Sequence, residues 1–211
     1  MKAIPIGRLL RADTSGCVMG CRVSQTGTPA FGEMVLIPLS DGSRIYGLVY
    51  DIHIDDDGLV RQLVSADVSE EVIEDNRQNR NVPIEISLVF IGWEDASGRV
   101  SHTRVPRPPL TLDEIFPCVE EEFLRFTGTG RPGYLRSLLR NQEIPAADLV
   151  TAHLRQVFSV AHHPDRGGWR DRFLAEVIAL LKDDYPQLMD VLTAVSAAME
   201  LKASQYDPGR S

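Results

Sequence analysis

The chain has 211 residues, 43% of them hydrophobic and 25% charged, with a net charge of −8; these proportions fit a soluble globular protein and argue against disorder. Residues 1–110 hold 11 basic and 15 acidic side chains and residues 111–211 hold the same numbers. Neither half has the basic excess that a phosphate backbone requires, so direct nucleic-acid binding is not expected. The start, MKAIPIGRLL, has too short an apolar run for a signal peptide, and no run approaches the ~18 residues of a membrane span. A cytoplasmic protein with no membrane partner is therefore expected. An odd, sparse set of three cysteines does not form a disulfide framework. Cys17 and Cys21 on a strand have Cα atoms roughly 13 Å apart, beyond the ~7 Å limit for a bridge. No second cysteine pair or nearby histidine completes a metal site around them.

In chain order, residues 3–11 read as a first strand with a bend at Gly7, and residues 16–24 as a second. Gly32 to Ile54 reads as a β-hairpin turning at Asp41, Gly42 and Ser43. On its second arm Tyr46, Leu48, Tyr50, Ile52 and Ile54 share one face, the period of two of a half-buried strand. Gly47 in that arm predicts a bulge or sharp bend. Asp55, Asp56 and Asp57 before Gly58 lack the alternate-position spacing of a calcium loop and read as a solvated turn. Residues 68–81 suit a short polar surface helix, acidic at its start and basic at its end.

Ile84, Ile86, Leu88 and Phe90 mark another strand, and residues 99–105 a last one, stopped by Pro106, Pro108 and Pro109. A domain boundary is placed here. Beyond it the period becomes 3.6: Leu135, Leu138 and Leu139 mark one helix, and Leu154, Val157, Phe158 and Ala161 a second. Leu174, Val177, Ile178 and Leu181 mark a third, and Leu188, Val191, Leu192 and Val195 a fourth. Each stripe needs a partner to bury it, which predicts a helical bundle. The expected fold is α+β with segregated parts: a small closed β-barrel of about six strands in residues 1–110, then a helical domain in 111–211.

Catalytic signals are weak, and no catalytic residue, metal ligand or cofactor is assigned. No G-x-S-x-G elbow is present. Cys118 and His102 can be drawn as a nucleophile and base, but nothing in the sequence places them in a cleft. Glu120, Glu121 and Glu122 would point in different directions on a helix and read as a solvated face rather than a metal site. Tyr46 and Tyr50 share a strand face, but without basic neighbours they read as core or interface rather than a base-stacking platform.

Several of these features together resemble the HAS barrel that opens HerA-type DNA-translocating ATPases. They are Ile6-Gly7-Arg8-Leu9, Gly32 through Ile37, Tyr46-Gly47-Leu48-Val49, the polar helix, and Asn81-Val82-Pro83-Ile84. The resemblance covers residues 1–120, with the Pro106 to Pro109 exit and Glu120 to Glu122 at its end. In those ATPases a phosphate-binding loop follows, G-x-x-x-x-G-K-[ST]. Here Gly128-Thr129-Gly130-Arg131-Pro132-Gly133 has no such lysine, and Pro132 removes an amide donor. The resemblance therefore implies a non-enzymatic adaptor that docks a protein partner, an ATPase or nuclease subunit, in a DNA-processing or ring-ATPase complex.

His162-His163-Pro164-Asp165-Arg166-Gly167-Gly168, between two amphipathic helices, resembles the loop of a J domain. Residues 133–185 follow that module's order, with Tyr134 and Leu138 in a short first helix, and the likeness could extend to residue 200. The resemblance implies that His163, Pro164 and Asp165 bind a heat-shock chaperone and stimulate its ATPase. The helix before the triplet carries Asp148, His153 and Arg155 where that family has a basic surface, and Arg155 stands where a tyrosine is expected. Proline and paired glycines also make an ordinary turn between helices, with Asp165 as a cap.

Overall fold

The computed structural model describes residues 4–21, 28–54, 69–78, 84–128, 130–159 and 166–205. Its strands are β1 (Gly7–Ala12), β2 (Gly16–Cys21), β3 (Met34–Pro38), β4 (Arg44–His53), β5 (Ile84–Glu94), β6 (Val100–Ser101) and β7 (Glu114–Pro117). Its helices are α1 (Glu70–Gln78), α2 (Glu120–Thr127), α3 (Leu135–Leu139), α4 (Ala146–Ser159), α5 (Arg166–Leu181) and α6 (Tyr185–Gln205). Six strands close a ring in the order β1, β7, β3, β4, β5, β2, with β2 returning to β1 and every pairing antiparallel. Closure leaves this ring no unpaired edge. The expected small barrel followed by helices is the fold observed.

The hairpin is as the sequence implies. Gly42 takes φ 82, a left-handed value that glycine tolerates without steric cost, and the Asp41 carboxylate accepts from the backbone N–H of Ser43 at 2.9 Å. β4 and β5 slip register between Tyr46 and Gly47, where Ile91 is the extra residue on β5. That bulge adds the local bend a narrow barrel needs. The same pair of strands slips again between Val49 and Asp51, and a third irregularity lies on β1, where Leu10 is passed over between Leu9, opposite Met19, and Arg11, opposite Val18.

Two expectations need correction. The strand read over residues 99–105 is only the short β6, which pairs with β5 outside the ring. The sixth barrel strand is β7, past the boundary placed at residue 110, and it joins β1 to β3. The prolines follow β6 after residues 102–105, and they do not end the barrel: the chain turns at residues 110–113 and comes back.

The two halves also share a core. Inside the barrel lie Leu9, Cys17, Met19, Cys21, Val35, Ile37, Ile45, Val49, Ile86, Leu88, Phe90 and Ile115. Alternate residues of β3, β4 and β5, Met34, Leu36, Tyr46, Leu48, Val89 and Ile91, face outward into one cluster with α2 to α6. These strands are covered on both faces, which is why Met34 to Ile37 reads as an unbroken apolar run. The contact is close: a Cβ on Gly32, whose φ is 82, would stand 2.4 Å from the Ala152 Cβ on α4.

Candidate functional site

His163, Pro164 and Asp165 lie outside the described residues, between the end of α4 and the start of α5. The frame around them is described. The Phe158 ring near the end of α4 meets Trp169 edge-on, with centroids 6.2 Å apart. Trp169 Nε1 donates to the Thr127 carbonyl at 3.0 Å, and its ring lies 5.1 Å from that of Phe173. The helix after the triplet is thus pinned to α2, while α4 packs most extensively along α6.

The barrel presents a different feature where β1 meets β7. The bulge at Leu10 turns that side chain out to 36% exposure. Beside it the Leu110–Asp113 turn folds onto β1: the Leu112 N–H donates to the Leu9 carbonyl at 2.8 Å, and the Leu9 N–H to the Asp113 carbonyl at 3.0 Å. The Asp113 carboxylate closes the turn by accepting from the Leu110 N–H at 2.7 Å. Arg8 ties it down, donating to the Leu112 carbonyl at 3.2 Å and pairing with Glu114 at 2.7 Å. Leu110 and Leu112 stay 72% and 62% exposed. Leu112 has φ 72, the one positive value at a non-glycine among the described residues; for a leucine it costs roughly 1–2 kcal/mol.

Between barrel and helices, polar groups are buried in pairs that the sequence did not reveal. Tyr46, read as core or interface, is fully buried, and its hydroxyl donates to Glu94 at 2.6 Å. Arg125 donates to the other oxygen of Glu94 at 3.1 Å. Burial first, then the Glu94 carboxylate, raises the Tyr46 hydroxyl pKa. Tyr134 and His153 meet at 2.9 Å through the hydroxyl and Nε2. Burial pushes the His153 imidazole down to about 4, and its Nδ1 has no partner among the described residues.

The other residues singled out in the sequence do not converge. His102 Nε2 donates to the Phe126 carbonyl at 3.1 Å, and its ring packs on Phe126 and Tyr134. The Cys118 thiol points to the Val119 carbonyl, with burial raising its pKa, and a thiol held protonated is a poor nucleophile. Cys17 and Cys21 both face the barrel interior as free thiols, the Cys17 pKa pushed up to about 12 by burial. Glu122 accepts from the Val119 N–H and pairs with Arg44. The glycine segment after α2 joins it to α3, with Arg131 paired to Glu176 at 2.8 Å and the Gly130 carbonyl accepting from Arg172. Among the described residues no three His, Cys, Asp or Glu side chains are grouped to hold a metal, and no helix is long and apolar enough to cross a membrane.

One further place collects charge. α3 buries Leu135, Leu138 and Leu139, which leaves Arg136 and Arg140, one turn apart, on its exposed side. With Arg104 they border a hollow of about 330 Å³ against the β1–β2 turn, along with Ser15, Asn141 and Glu143. It continues into a second hollow of about 280 Å³ walled by Tyr50, Ile144 and Arg11. The turn is firm, since Asp13 accepts from the Gly16 N–H at 3.0 Å and Ser15 accepts from the Phe90 N–H at 2.8 Å. The only sequence signal was an arginine pair at i, i+4 opposite a leucine stripe; Arg104 joins it through the fold alone.

No family profile matches the chain, and no curated protein matches it.

Proposed function

We propose that the protein is a non-enzymatic docking module of the cytoplasm, a HAS-like barrel that binds a protein subunit of a DNA-processing or ring-ATPase assembly. The observation that carries this reading is the set of exposed leucines at the β1–β7 end of the barrel. Leu10 is turned outward by a bulge, and Leu112 is held at φ 72 by backbone hydrogen bonds and by Arg8. A fold that keeps apolar side chains in water at a conformational cost is typical of an interaction surface. The barrel interior, filled by side chains from all six strands, serves as a rigid mount.

Purification from the native host with and without Leu110→Asp/Leu112→Asp tests this. Both side chains are already exposed, so the variant is expected to fold. A DNA-translocating ATPase or nuclease subunit that co-purifies with the wild type and is lost with the variant supports docking; equal recovery from both removes the leucines from the account.

A second reading is a J-type co-chaperone. It draws on the two helices that bracket His163, Pro164 and Asp165, with Phe158 and Trp169 packed across the gap. Stimulation of a purified heat-shock chaperone's ATP turnover, abolished by His163→Gln and untouched by the leucine variant, would move the function to that loop.

A further inference from the structure

We infer that the arginine-bordered hollow between the barrel and α3 binds a small phosphate-bearing ligand of nucleotide size. Three guanidinium groups, those of Arg104, Arg136 and Arg140, border it together. None of the three has a close ion pair or side-chain hydrogen bond among the described residues, and only Arg104 has a carboxylate, that of Asp13, near enough for its charge to help lower that group's pKa. Several other arginines among the described residues are paired, Arg8 with Glu114, Arg44 with Glu122, Arg99 with Asp95, Arg125 with Glu94 and Arg131 with Glu176. Two like charges at i, i+4 repel each other, and a doubly charged oxyanion between them would convert that repulsion into attraction. The planar guanidinium fork matches phosphate oxygens two at a time. Thr14 and Ser137 line the same hollow with hydroxyl groups, while the Ser15 hydroxyl there is already donated to Asp13.

Two acidic groups are nearby. Asp13 lines the adjoining hollow, and its carboxylate is engaged with the Ser15 hydroxyl and the backbone N–H groups of Ser15 and Gly16. Glu143 lines the junction of the two hollows, where it can accept from a ligand hydroxyl or amine. Beyond the junction Tyr50, Val89 and Ile144 offer an apolar wall suited to a flat ring attached to the phosphate. The two hollows, about 330 and 280 Å³, are together of the size that small-molecule sites occupy. A chain of net charge −8 repels a long polyanion along its surface, while a small dianion within the hollow is governed by the arginines beside it. That favours a small ligand over nucleic acid.

The test is calorimetric titration at constant ionic strength with inorganic phosphate, adenosine monophosphate and adenosine. Saturable one-site binding of the nucleotide is expected, with phosphate weaker and adenosine undetected; tighter binding of phosphate than of the nucleotide would identify a free-phosphate site instead and overturn the nucleotide-sized ligand. Arg136→Gln/Arg140→Gln should weaken nucleotide binding by about tenfold or more with an unchanged melting temperature. Arg99→Gln/Arg170→Gln makes the same charge change at other exposed positions and should leave binding unaltered. Should the first variant lose its fold, Arg104→Gln gives the same reading. No saturable binding of nucleotide or phosphate at millimolar concentration, or equal loss in both double variants, overturns the site. So does tighter binding of a DNA oligonucleotide through the same arginines.

Discussion

The inside of the barrel and the layer between barrel and helices are buried to the same degree and built in opposite ways. Among the described residues the barrel interior is lined by apolar side chains and two free thiols. All five buried polar or charged residues identified among the described residues, Glu94, Thr127, Thr151, His153 and Glu176, lie outside it, on the helix side. Volume alone holds the first region, and any side chain of the right size and shape serves. In the second, hydrogen bonds such as Arg125 to Glu94 and Trp169 to Thr127 are made only when the helices sit in one position. The comparison teaches that the barrel is a general scaffold, and that specificity of assembly lies in the layer that joins the helices to it.

The contrast can be broken most forcefully at Trp169, which is fully buried and donates to the Thr127 carbonyl. Trp169→Ala should cost about 3–5 kcal/mol in denaturant unfolding; a loss below about 1 kcal/mol would mean that the helices are loosely attached. Next comes pH. Burial holds the folded-state His153 pKa near 4 instead of the usual 6.5, so the unfolded chain binds a proton more readily than the folded one. Its contribution is complete above pH 6.5 and is lost as the pH falls through that window towards 4, by up to about 3 kcal/mol. His153→Gln should flatten the unfolding free energy over this range; an unchanged slope would assign it to other groups.

Smaller effects sharpen the comparison. Tyr46→Phe removes one hydrogen bond to the buried Glu94 and should cost roughly 1–3 kcal/mol. In the barrel interior Ile37→Val should cost only about 0.5–1.5 kcal/mol, with no pH dependence between 4 and 6.5 beyond that of the wild type. If the two substitutions proved alike in size, the distinction between the regions would lose its energetic content.

The sequence made much of the barrel legible because strand signals are local. Asp41-Gly42-Ser43 specified its turn, and Gly47 marked its bulge, from a few neighbouring residues. β7 was hidden, since Glu114–Pro117 is too short to show a period and follows a proline run that ordinarily ends a sheet. The shared core was hidden as well. A stripe such as Val177 and Leu181 states that one face is buried but not against what, and the cluster that it joins also takes in Met34 and Tyr46 from the barrel. Candidate sites fared worse for the same reason. The exposure of Leu10 comes from a register slip, that of Leu112 from a backbone angle, and Arg104 reaches Arg136 only through folding. No spacing in one dimension carries those facts.

Docking through the leucine turn is tested most directly by placing a photo-activatable side chain at position 112 in the native host, with position 99 as an exposed control. Irradiation should yield a covalent adduct with an ATPase or nuclease subunit from position 112 and none from position 99. Identical adducts from both positions, or a chaperone adduct obtained only when the probe is moved to position 163, would contradict it.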